Sequence, residues 1–68
     1  MKDIQTTIET LTGTNIIVQV SKIEETGDMI CVILCEEGDK TLSVSALTKG
    51  QLNDLISCMS GCLMRLDL

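Results

Sequence analysis

The stretch Asp28-Met29-Ile30-Cys31-Val32-Ile33-Leu34-Cys35-Glu36 decides how this chain is read. Seven consecutive residues between its two acids are apolar, so a strand here is apolar on both faces. The flanking segments differ. From Asn15 to Glu24, Ile16, Val18 and Val20 point one way, against Ile17, Gln19, Ser21 and Ile23. From Lys40 to Ala46, Leu42, Val44 and Ala46 stand opposite Thr41, Ser43 and Ser45. Alternation of this kind marks strands with one face covered. Glu25-Thr26-Gly27-Asp28 and Glu37-Gly38-Asp39 read as the tight turns between them. Short turns give an antiparallel meander with the doubly apolar strand in its centre.

Both ends of the chain read as helices. Ile4, Ile8 and Leu11 follow i, i+4, i+7, with Asp3 as N-cap and Gly13 as the stop. Thr48-Lys49-Gly50-Gln51 fits a capping box. The stripe Leu52, Leu55, Ile56, Met59, Cys62, Leu63 and Leu66 then gives a long amphipathic helix. Its other side carries Ser57, Gly61, Met64 and Leu68, small enough in part for close helix–helix approach. The expected fold is α+β: a single domain over 1–68, helix–three-stranded antiparallel meander–helix (αβββα), with the helices packed on one face of the sheet. Ile16, Val18, Val20, Leu42, Val44 and Ala46 are expected to face those helices together. The register then leaves one set from the central strand on the far face, either Met29, Cys31, Ile33 and Cys35 or Ile30, Val32 and Leu34. An apolar ridge of that kind is a surface for a partner, either a different protein or a second copy in a homodimer.

Composition narrows the function. The chain has 68 residues, and a domain this small is marginal alone, for which oligomerisation is a common remedy. It has no Phe, Tyr, Trp, His or Pro, so its core must come from Ile, Leu, Val, Met and Cys. Ten acids against five bases give a net charge of −5. That disfavours direct binding to nucleic acid or anionic membrane and favours a partner with a basic, nucleic-acid-binding surface. No run reaches the ~20 apolar residues of a membrane span, and Met1 to Thr6 lacks an apolar leader core. A cytosolic location is the expectation.

No cofactor or metal is expected. Cys31 and Cys35 are ~13 Å apart along a strand, too far to share a metal or a bridge. Cys58 and Cys62 are ~6 Å apart on a helix and would need two further ligands, with no His in the chain. The plain reading of all four thiols is as small core hydrophobes. An enzyme is not expected: no base accompanies a thiol nucleophile, and the acids gather at turns. Those acids, Glu24, Glu25 and Asp28 at one turn and Glu36, Glu37 and Asp39 at the other, are the candidate electrostatic contacts to a basic partner. Their simpler reading is as solvated turn residues.

The Ile4/Ile8/Leu11 helix, the two acidic hairpins and the Leu52-to-Leu66 helix, in an acidic chain of this size, together resemble some phage-encoded anti-CRISPR proteins. The resemblance is one of layout and spans most of the chain. It implies an inhibitor that binds a Cas effector and blocks its contact with DNA, often where the PAM is read.

Overall fold

The computed structural model describes residues 4–67. Four strands run in chain order across one antiparallel sheet: β1 (Gln5–Glu9), β2 (Asn15–Lys22), β3 (Met29–Glu37) and β4 (Lys40–Leu47). One helix, α1 (Lys49–Leu66), follows. The architecture is therefore ββββα. The expected αβββα layout with helices covering one face is incorrect in three respects: the first helix, the strand count and the packing.

The first error has a clear cause. A spacing of four residues satisfies a period of two as well as a period of 3.6, so Ile4 and Ile8 share a face in a strand or in a helix. In the apolar pattern only Leu11 separates the two periods, and it lies fully exposed in the turn after β1. The β-branched Thr6, Thr7 and Ile8 favour extended backbone. Pairing along β2 then settles the conformation, with Thr6 opposite Val18 and Ile8 opposite Ile16. Asp3, expected as the N-cap of that helix, lies outside the described residues, as does Leu68. The β1–β2 turn is held by Thr10, whose amide and hydroxyl both donate to the Thr14 carbonyl, at 2.9 and 2.8 Å.

The two later turns fall where Gly predicts them. In the β3–β4 hairpin Glu37 pairs with Lys40, leaving Gly38-Asp39 as a two-residue loop. Gly38 has φ +60° and Asp39 does not have positive φ, the pattern of a type II′ turn. A register shift between Cys35 and Glu36 places a bulge just before this turn.

Directly opposed residues point to the same side of a sheet, so register assigns every side chain to a face. One side carries three rows: Ile8–Ile16–Cys35–Ser43, Thr6–Val18–Ile33–Ser45 and Val20–Cys31–Leu47. The other carries Thr7–Ile17–Leu34–Val44, Gln5–Gln19–Val32–Ala46 and Glu9–Asn15–Glu36–Thr41. The doubly apolar β3 is interior, as its sequence implies. Its two faces nevertheless continue into different neighbours. Ile16, Val18 and Val20 join Cys31, Ile33 and Cys35, whereas Val44 and Ala46 join Val32 and Leu34 on the other side. The expectation that the apolar sets of both flanking strands face the helices together is thereby corrected.

Helix α1 begins as its sequence foretells. The Gln51 amide donates to Thr48 Oγ1 at 3.3 Å and the Thr48 amide donates to Gln51 Oε1 at 3.0 Å, a closed capping box. The helix lies close only to β3 and β4. Leu52 and Leu55 are half-buried, and every later described residue of the helix is exposed. Cys31, at 6% exposure, is the one buried residue among those described. The radius of gyration is 13.7 Å, against about 11 Å for a compact domain of this length. A stable domain stacks at least two layers around a core. Here the second layer covers one corner of the first.

Candidate interaction surface

The side of the sheet that meets α1 is built from the sequence upward. Alternation brings Ile8, Ile16, Val18, Val20, Ile33 and Cys35 to it from three neighbouring strands. On β4 the same rows end in Ser43 and Ser45, so the apolar plate has a polar margin. At one corner Leu52 of α1 lines a half-open apolar pocket of about 150 Å³ together with Val20, Met29, Cys31 and Leu47. Cys31 stands between Val20 and Leu47 in its row, on an interior strand and beneath the start of α1. From there the helix moves off the plate.

The helix carries the matching half. Ile56, Met59, Leu63 and Leu66 continue the stripe begun by Leu52 and Leu55, and they are 52–81% exposed. Leaving such side chains in water forgoes about 1.5–3 kcal/mol each relative to burial. Sequence reasoning assigned this stripe to the chain's own core and missed it as a surface. The signal was available: Thr48 alone separates the end of β4 from the start of α1. A joint of one residue leaves little slack for a helix to fold back across the sheet.

The candidate residues from sequence fall into separate places. Met29, Cys31, Ile33 and Cys35 all stand on the side that α1 approaches, not on a far face. Cys31 is covered by the helix, Met29 is exposed, and Ile33 and Cys35 are half-buried. Glu24, Glu25 and Asp28 form the β2–β3 turn, at the end of the sheet where α1 starts. That turn is closed by the Ile23 amide donating to the Asp28 carbonyl at 2.8 Å. Glu36, Glu37 and Asp39 lie at the opposite end. There Thr41 Oγ1 donates to Glu36 Oε2 at 3.4 Å, and Lys40 stands opposite Glu37. The register adds Glu9 to this end, in one row with Asn15 and Glu36. Glu9 was hidden because its segment read as a helix.

The thiols form no disulfide. All four are free; Cys31 is buried, Cys35 half-buried, and Cys58 and Cys62 are exposed on successive turns of α1. Among the described residues no three His, Cys, Asp or Glu side chains gather as metal ligands would. A shallow groove on the helix is lined by Cys58, Gly61, Cys62 and Arg65. No helix among the described residues is long and apolar enough to cross a membrane. No family model matches the chain, and neither the curated proteins nor the solved structures provide a match.

Proposed function

We propose that this chain is a non-enzymatic protein-binding module whose working surface is apolar: the outer stripe of α1 and the sheet side it leaves uncovered. The observation that carries this reading is the separation of two apolar halves within one chain. Met59 and Leu63 are exposed on the helix while Ile8, Ile16 and Ile33 line an open plate. Contiguous apolar surface of this extent marks association sites on soluble proteins. The test compares tagged wild type with tagged Met59→Lys/Leu63→Lys, each expressed in the producing cell. Polypeptides retained by the wild type and lost by the variant are the expected result. Identical retained sets would overturn the reading.

A second reading rests on a different observation. Glu9, Glu36, Glu37 and Asp39 meet at one end of the sheet in a chain of net charge −5. In this reading the module is a small inhibitor that docks its acidic end on the basic surface of a larger nucleic-acid-binding complex, such as a CRISPR effector. The resemblance behind it keeps the acidic hairpins and the last helix but not the first helix. Glu36→Lys/Glu37→Lys/Asp39→Lys should then abolish capture of the complex and weaken the salt dependence of binding. Capture unchanged by the triple variant would rule this version out.

A further inference from the structure

We propose that the surface is covered by a second copy of this chain, each copy laying the outer turns of its α1 across the apolar plate of the other. The proposal rests on the protein-binding reading above and names the partner.

Area is the first support. The chain exposes 5787 Å². A compact monomer of 7.4 kDa exposes roughly 4,200 Å² by the surface-to-mass relation. The excess is about 1,600 Å² per copy, within the roughly 1,000–2,500 Å² that each partner loses in an obligate homodimer. A handful of contacts would not consume it; an exchange of whole elements would.

Complementarity is the second. The plate is three strands wide, and the 8 residues of β2 span about 27 Å. Leu52 and Leu55 already lie against their own sheet, so the free part of α1 runs from Ile56 to Leu66; it spans about 16 Å, enough to cross three strands spaced about 4.8 Å apart. The plate needs a helix with an apolar stripe of about three positions in seven, and α1 has one from Leu52 to Leu66. The same chain thus carries both an uncovered plate and an unplaced helix end long enough to cross it. Reciprocal exchange satisfies both in one closed two-fold arrangement, in which each plate and each helix end is used once.

The chain's own helix is poorly placed to do this. Turning α1 back over its own sheet would have to happen at Thr48. That residue is held by the two capping-box hydrogen bonds, and Leu47 beside it pairs with Cys31.

The test is an isotope-filtered NOE experiment on purified protein, mixing ¹³C-labelled and unlabelled chains after unfolding and refolding together. The expected result is intermolecular NOEs from Met59 and Leu63 of one copy to Ile16 and Ile33 methyls of the other, in a species of twice 7.4 kDa. Met59→Lys should shift the sedimenting species towards the single-chain mass. If that variant does not fold, the NOE result on the wild type decides alone. Helix-to-helix NOEs without helix-to-sheet ones would overturn the exchange. NOEs confined to one copy would overturn it in favour of an intramolecular closure. A purified monomer from cells in which Met59→Lys/Leu63→Lys still loses a retained polypeptide would overturn the second copy while leaving the protein-binding reading intact.

Discussion

Leu52 and Leu63 lie three helical turns apart on the same stripe of α1, yet only Leu52 is part-buried; Leu63 is 61% exposed. Nothing in their chemistry separates them. The difference is position: Leu52 reaches the corner of the sheet at Cys31, and Leu63 has passed beyond it. A stripe that is core at one end and surface at the other is unfinished packing, and the proposed association surface rests on it.

Leu63→Ala discriminates directly. On a helix surface this change costs no more than about 0.5 kcal/mol. Under a covering chain it removes a packed side chain, which costs about 2–5 kcal/mol. Urea denaturation of the purified protein should show the larger loss. The unfolding midpoint of the wild type should also rise with protein concentration, as mass action requires of linked folding and association.

Thr48→Ala removes one half of the capping box, the hydroxyl that accepts from the Gln51 amide, and leaves the backbone amide at position 48 able to donate to Gln51 Oε1. The expected cost is about 1 kcal/mol, with Thr48→Ser close to wild type. Thermal unfolding followed by circular dichroism measures it.

Two glycines should respond with opposite sign. Gly38 holds φ +60° in the β3–β4 turn, where an L side chain is strained. Gly38→Ala should destabilise by about 1 kcal/mol or more. Gly61 lies within α1, and a methyl group there meets nothing within 4 Å. Gly61→Ala should stabilise by about 0.5–1 kcal/mol. Chemical denaturation of the two single variants, side by side, checks both signs.

The thiols provide a chemical footprint. Cys31 is buried and should alkylate slowest, since reaction needs access for the thiolate. Cys58 and Cys62 are both exposed on the single chain, but only Cys62 lies on the apolar stripe. A covering chain should therefore slow Cys62 relative to Cys58, and dilution should remove the difference. Timed alkylation with peptide mass mapping measures all four sites at once.

Much of the architecture was legible in the residues, and the rest failed for identifiable reasons. Glycine at turns, alternation in β2 and β4, and the Thr48–Gln51 pairing located three strands, two hairpins and the helix. Residues 4–11 misled because Ile4 and Ile8 fit both periods, and only pairing with β2 separates the two. The faces were misassigned because a meander shares its register through β3, and a shift of one residue moves Val44 and Ala46 to the other side. The exposed end of α1 was missed because amphipathicity shows that a stripe wants cover, not which chain supplies it.

In the proposed assembly, α1 beyond its second turn is covered by another polypeptide. Hydrogen exchange of the purified protein at high and low concentration tests it most directly. An uncovered helix end of about ten residues is marginal in water, and its amides exchange through local fraying. Amides from Met59 to Leu66 should be protected as strongly as those of Cys31 to Leu34 at high concentration and lose that protection on dilution. Rapid exchange of Met59 to Leu66 at every concentration, beside a protected β3, would contradict it.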